Sequence, residues 1–170
     1  MNPLQLLNAA TMLFPFISWY KHRKKNKNKL LHKIIAIHIP VSAIYHLVSA
    51  FKPSITLQFL DFSLIHFTSL VIGNSICKKK SSRLLDITTQ LATLPFHIKS
   101  CIDVFYRKEN IKTRFCAIII NALPMFLVNK KIAIRATACG LLCYKTYTHR
   151  YGHPVFHVIL MELYNVCYEM

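Results

Sequence analysis

Polar side chains stand four residues apart in two segments of the chain. Ser42 and His46 occur in the sequence SAIYH, and His153 and His157 occur in HPVFH. Residues four apart lie on one face of a helix, and two histidines at that spacing can bind one metal ion. A third histidine from another helix leaves a fourth position for water, as in catalytic zinc sites. His153 and His157 are therefore candidate ligands of one metal ion, which a histidine of another helix would complete.

Apolar stretches of about twenty residues must position these side chains. Hydrophobic residues make up 54% of the 170 residues and charged residues 16%, against about 45–50% and about 25% in soluble proteins. Stretches of this length cross the hydrocarbon core of a bilayer. We predict an all-α integral membrane protein, with residues 1–170 forming a single transmembrane domain. Its seven-transmembrane helix bundle would comprise spans at 3–20, 33–52, 54–76, 84–105, 114–129, 132–148 and 150–168.

Spans four and six are the weakest of the seven, because span four carries Asp86, Lys99 and Asp103 and span six carries Arg135 and Lys145. Five or six spans are the alternative. The first span lacks a preceding basic region and a following small-residue cleavage site, so we expect an uncleaved helix.

Basic residues predict the orientation of the bundle. The net charge is +16, and Lys and Arg fall mainly in clusters at 21–33, 78–83 and 130–135, between the apolar stretches. This placement is typical of cytoplasmic loops and argues against a nucleic-acid partner. With seven spans, fourteen of the 22 basic residues lie on one side. We therefore predict an N-terminus outside or in the lumen and a cytoplasmic C-terminus.

The predicted spans place the polar residues at a common depth. His46 lies six residues before the end of span two, and Asp61 lies seven residues after the start of span three. His153 and His157 lie three and seven residues into span seven. At 1.5 Å per residue these positions are roughly 5–10 Å from one membrane surface. We expect all four side chains in one layer.

This constellation resembles the CREST superfamily of seven-helix membrane hydrolases, which comprises alkaline ceramidases, PAQR-type receptors and Per1-like proteins. The matching pattern is Ser-x-x-x-His on helix two, Asp on helix three and His-x-x-x-His on helix seven, within residues 42–157. The resemblance, to a divergent short member, implies Zn²⁺ held by His46, His153 and His157. It also implies that Asp61 holds the catalytic water, that Ser42 lies beside it, and that lipid amide or ester bonds are cleaved. The predicted orientation resembles that of the ceramidase branch.

The sequence leaves other functions open. The first hypothesis is a ceramidase-like hydrolase whose partners are membrane lipids, such as ceramide or another acylated lipid. The second is a receptor-like or structural membrane protein without the chemistry. The third is a transporter that uses Asp61, His66 and Glu162. Isolated membrane histidines usually form packing hydrogen bonds, which is the expectation for His38, His66 and His97. The prolines inside predicted spans (Pro40, Pro95, Pro124 and Pro154) are expected to produce kinks.

Overall fold

The computed structural model describes residues 1–24, 29–79, 82–106, 110–147, 149 and 151–169. These residues form nine helices and no strand, so the predicted all-α class is confirmed. The helices are α1 (Pro3–Thr11), α2 (Leu13–His22), α3 (Lys29–Ser49), α4 (Ile55–Lys79), α5 (Arg83–Phe105), α6 (Ile111–Ala122), α7 (Met125–Val128), α8 (Lys130–Tyr147) and α9 (Gly152–Glu169). Parts of the first two predicted basic clusters, at 25–28 and 80–81, lie outside the described residues.

The nine helices form seven segments that correspond to the seven predicted apolar stretches. The first stretch, however, is divided into α1 and α2 at Met12. Pro15 is the third residue of α2, so it has no N–H to donate to the carbonyl of Thr11, and its ring crowds that carbonyl. The chain therefore turns at the end of α1 instead of continuing as one helix.

The fifth predicted stretch is divided in the same way. Pro124 follows α6 and precedes α7, and the Leu123 N–H donates to the carbonyls of both Ile119 and Ile120 in the last turn of α6. The helix ends there because proline cannot supply the next donor. Pro40 and Pro95 instead lie within the continuous helices α3 and α5.

Helix α4 packs against α3, α5, α6 and α7, whereas α9 packs against α1, α2 and α8. One apolar cluster joins residues of α3, α4 and α9 with Met12, and it comprises Met12, Leu31, Ile34, Ile35, Ile39, Val71, Leu160, Tyr164 and Cys167. A second joins α4, α7, α8 and α9, and it comprises Ile76, Met125, Ile132, Ala133, Ala136 and Val166. These contacts hold α3 and α9, which carry the predicted metal ligands, in one bundle.

The described surface exposes many large apolar side chains while the interior holds many polar ones. Helix α5 is the clearest case, because an exposed apolar stripe runs along its length: Leu84, Ile87, Leu91, Leu94, Ile98, Ile102 and Phe105. Its buried residues include Thr89, Thr93, His97, Ser100 and Asp103. Among the described residues, two helices are long and apolar enough to cross a membrane, Lys29–Ser49 and Ile55–Cys77.

Candidate metal centre

Three histidines converge at one end of the bundle, as the sequence predicted. His46, His153 and His157 each offer a ligand atom, and these atoms all lie within 4.8 Å of one another. The ring centroid of His46 is 4.7 Å from that of His153 and 5.4 Å from that of His157. His46 and His157 are buried, with 1% and 2% of their surface exposed, and His153 is half-buried. We call these residues the three-histidine cluster.

The helix ends explain this convergence. His46 lies three residues before α3 ends at Ser49, and the two other histidines are the second and sixth residues of α9. Pro154 lies in the first turn of α9, where its missing N–H has no intrahelical partner to lose. It therefore helps to start α9 beside the end of α3, rather than producing the kink that the sequence predicted.

The predicted carboxylate and serine lie next to this cluster. A cavity of about 30 Å³ is lined by Ser42, Asp61, His153 and His157, which is room for a water molecule or an ion. The Ser42 hydroxyl lies near the Asp61 carboxylate, and both side chains are buried. The structure therefore brings together all five residues that the sequence singled out.

His38 is the histidine that lies next to Asp61. Its Nε2 lies 3.5 Å from Oδ1 of Asp61, and its Nδ1 lies 3.1 Å from the hydroxyl of Tyr164. It also lines the cavity. The packing role expected for His38 therefore includes a contact with the buried carboxylate of Asp61.

Two side chains of α1 also contact rings of the three-histidine cluster, and no sequence motif predicted these contacts. Gln5 Oε1 is 2.7 Å from Nδ1 of His46. Thr11 Oγ1 is 2.8 Å from Nδ1 of His157. Glutamine and threonine are ordinary residues of a helix, so only the packing of α1 against α3 and α9 reveals these contacts.

A second polar cluster lies between α4, α5 and α6. It comprises Ser69, His66, Thr93, His97 and Asn121, all of which are buried. The Nδ1 atoms of His66 and His97 are 2.6 Å apart, and Nδ2 of Asn121 is 2.8 Å from Nε2 of His97. Nδ2 of Asn121 also donates to Ser69 Oγ at 3.3 Å. Both nitrogens of His97 are therefore engaged by neighbouring side chains, and these contacts join α4, α5 and α6 as expected for packing histidines.

Glu162 lies apart from both clusters, on α9. It forms an ion pair with Arg135 of α8, and Arg135 also pairs with Glu169. All three side chains are more than two-fifths exposed. The three residues of the transporter hypothesis therefore have separate surroundings, because Asp61 lines the cavity, His66 belongs to the second polar cluster and Glu162 is at the surface.

The donor set of the three-histidine cluster fits a zinc ion. Imidazole nitrogens are common zinc ligands at about 2.0–2.1 Å, and a tetrahedral ion holds them about 3.3 Å from one another. The observed spread, within 4.8 Å, exceeds this by an amount that small ring movements can close. Nε2 of His46 is buried and has no hydrogen-bond partner among the described residues. A buried nitrogen in that state is costly unless something binds it.

Comparison with known proteins assigns the chain to no family. No protein-family profile, no curated protein and no solved structure matches the chain. The three histidines, the adjoining cavity and the Asp61–Ser42 pair are therefore the observations from which a function is inferred.

Proposed function

We propose that this protein is a zinc-dependent intramembrane hydrolase that cleaves an amide or ester bond of a lipid, as a divergent relative of the alkaline ceramidases in the CREST superfamily. One observation carries the proposal. Three histidine ligand atoms lie within 4.8 Å of one another, beside a cavity whose lining includes a carboxylate and a serine hydroxyl. This is the combination that metal-assisted hydrolysis requires.

Each residue of the site has a distinct task in this mechanism. His46, His153 and His157 would hold the zinc ion. Zinc in a three-histidine site supplies Lewis-acid activation of a water molecule and of an acyl carbonyl. Asp61 would accept the proton of the attacking water as general base and then pass it to the leaving amine or oxygen.

Ser42 and His38 support Asp61. The Ser42 hydroxyl has one proton, which it would direct to the nearby Asp61 carboxylate. When Asp61 accepts a proton it becomes a donor itself, and Ser42 is then able to turn its proton towards the developing oxyanion. His38, 3.5 Å from Oδ1 of Asp61, keeps the carboxylate aimed at the cavity.

The surroundings favour a lipid as the substrate. Apolar side chains from α4, α6 and α9, together with Met12, also line the cavity: Phe62, Ile65, Phe115, Ile118, Phe156 and Leu160. Acyl chains can pack against these residues while the polar linkage reaches the histidines. The exposed apolar stripe of α5 supports our proposal that all seven segments cross the bilayer, with the N-terminus outside or lumenal and the C-terminus cytoplasmic.

A second candidate function is a receptor-like or structural membrane protein that keeps the metal site without turnover. The small size of the cavity favours it, because about 30 Å³ accommodates a water molecule but not the linkage of a lipid. Hydrolysis therefore requires α4, α6 and α9 to separate around the substrate, whereas metal binding alone does not.

The test measures zinc and hydrolysis together. The protein is purified in detergent, its zinc content is measured by mass spectrometry, and it is incubated with ceramides and with ester-linked phospholipids. We expect about one zinc per chain, release of fatty acid, and loss of both in His153→Ala. His149→Ala is the matched control, since His149 is exposed and lies outside the three-histidine cluster.

The results separate the two candidates. Bound zinc without hydrolysis of any lipid would favour the non-catalytic alternative. Protein that binds no zinc although it remains folded would contradict both the metal site and the hydrolase.

A further inference from the structure

Helix α1 lies beside the three-histidine cluster and contacts two of its three rings. Its N-terminus is fixed there, because the Asn2 N–H donates to the carbonyl of Ala50 at 2.7 Å, and Ala50 directly follows α3. Gln5 and Thr11, near the two ends of α1, then meet the Nδ1 atoms of His46 and His157. A neutral imidazole carries one proton, and the partner of one nitrogen decides which nitrogen holds it. The hydrogen-bonding groups of Gln5 and Thr11 therefore determine which nitrogen of each ring carries the proton.

At His157 the direction of the hydrogen bond follows from the threonine hydroxyl. Thr11 Oγ1 donates its single proton to the carbonyl of Asn8 at 2.9 Å. It therefore meets Nδ1 of His157, at 2.8 Å, as an acceptor, and His157 is the donor. With the proton on Nδ1, Nε2 of His157 carries the lone pair.

At His46 the amide oxygen of Gln5 gives the same result. Gln5 Oε1 also accepts from Nδ2 of Asn8 at 3.4 Å, and a carbonyl oxygen has no proton to donate. Nδ1 of His46, at 2.7 Å from this oxygen, is therefore protonated. This leaves a lone pair on Nε2, the buried nitrogen for which the described part of the chain supplies no hydrogen-bond partner.

We propose that Gln5 and Thr11 are positioning residues of the metal centre, which hold His46 and His157 as Nδ1–H tautomers before any metal binds. The purpose of this arrangement rests on the proposed function, because only a ligand at Nε2 requires that tautomer. Partners of this kind orient metal-binding histidines and increase their basicity. Helix α1, which carries no predicted ligand, is then part of the site.

The first experiment reads the tautomers without metal. Nitrogen NMR of the metal-free chain in detergent micelles, with histidine labelled at both ring nitrogens, distinguishes protonated from unprotonated nitrogens at each ring. We expect Nδ1–H signals for His46 and His157. Thr11→Val, which keeps the side-chain shape but removes the acceptor, should shift His157 towards Nε2–H, and Thr11→Ser should restore the wild-type signal.

A matched control separates this effect from the general effect of changing a helical threonine. Thr88 also donates to a carbonyl of its own helix, at 2.8 Å, but it is exposed and distant in sequence from the site. Thr88→Val should leave the histidine signals unchanged. Nε2–H signals for His46 and His157 in the wild type would overturn the proposal, because Gln5 would then donate its amide and Thr11 its hydroxyl.

The second experiment measures zinc affinity by competition with a chelator. Thr11→Val and Gln5→Leu should each weaken zinc binding about 10–100-fold, the usual effect of removing such a partner. Gln5→Glu, which keeps an acceptor oxygen, should bind zinc at least as tightly as the wild type. Gln5→Leu tests the same idea independently if Thr11→Val does not fold.

The NMR and zinc-affinity measurements also distinguish failure of the positioning role from failure of the proposed hydrolase. Wild-type protein with Nδ1–H tautomers but no affinity for zinc would contradict the hydrolase and leave the orienting contacts established. Tight zinc binding that neither Thr11→Val nor Gln5→Leu changes would overturn the positioning role and leave the hydrolase intact.

Discussion

The three-histidine cluster and the second polar cluster are both buried groups of imidazoles and polar side chains, yet they direct their nitrogens differently. In the second polar cluster, both nitrogens of His97 contact other members, one contacting His66 and the other Asn121. In the three-histidine cluster, protein partners occupy Nδ1 of His46 and of His157, while Nε2 of His46 finds no hydrogen-bond partner within the described ranges. Both nitrogens of His97 are thus engaged within the protein, whereas the remaining nitrogen of His46 belongs to a cluster with two further imidazoles that could share one metal ion with it.

The largest expected effect comes from the carboxylate at the cavity. Asp61→Asn keeps the shape of the side chain but removes the base, so lipid hydrolysis should fall by about 10²–10⁴-fold. Zinc content should stay unchanged, because Asp61 lies outside the three-histidine cluster. Release of fatty acid and metal analysis on the same preparation measure both quantities.

Asp86→Asn, on α5, is the matched control. Asp86 accepts hydrogen bonds from Asn74 and Gln90 at 2.6 and 2.7 Å, remote in sequence from every predicted ligand. The Asp86→Asn variant should hydrolyse lipid at the wild-type rate. If Asp61→Asn retained full activity, Asp61 would have no catalytic role and the difference between the clusters would lose its functional meaning.

An intermediate effect, on stability alone, is expected in the second polar cluster. Asn121→Leu leaves His97, Ser69 and Thr93 without a shared partner. Unsatisfied buried groups destabilise a protein by about 1–3 kcal/mol. Thermal unfolding in detergent should show a lower midpoint, and zinc affinity should equal that of the wild type. A parallel loss of zinc would mean that the two clusters are coupled.

The smallest effect is expected where α4 approaches α6. A Cβ atom on Gly73 would lie 3.2 Å from both the backbone O and Oδ1 of Asn121, closer than ordinary contact. Overpacking costs about 1–3 kcal/mol, and alanine recovers about 0.5–1 kcal/mol in a helix. Gly73→Ala should therefore destabilise the protein slightly in thermal unfolding.

Gly140 provides the control for that substitution, because a Cβ atom added there would meet no atom of the described residues within 4 Å. Gly140→Ala should raise the unfolding midpoint, because alanine stabilises a helix relative to glycine. The same gain partly offsets the strain in Gly73→Ala. Equal shifts in both variants would show that α4 and α6 are not in close contact at Asn121.

The sequence predicted that the three histidines converge, because their positions follow a local rule. The spacing of His153 and His157 places both on one helix face, and the span ends placed His46 and Asp61 at the same level. The seven helical segments followed from the apolar stretches. The turn at Met12 had a visible signal in Pro15, whose effect on the helix was not anticipated.

The remaining features depend on which helices become neighbours. Nothing in the spacing of Gln5 and Thr11 distinguishes them from other polar residues in a helix. His66 and His97, 31 residues apart, likewise form a pair only after α4 and α5 have packed. Contacts of this kind follow from tertiary packing, which a single sequence does not specify through local periodicity.

The contact between Thr11 and His157 joins residues 146 positions apart, and this separation has a consequence for biogenesis. The ribosome makes α1 first, long before two of the three histidines of the cluster exist. Until α9 has been translated and has docked, the nascent chain could not hold a metal ion through these side chains. If the chain is the proposed hydrolase, an unfinished polypeptide would therefore be unable to attack the lipids of the membrane in which it is being assembled.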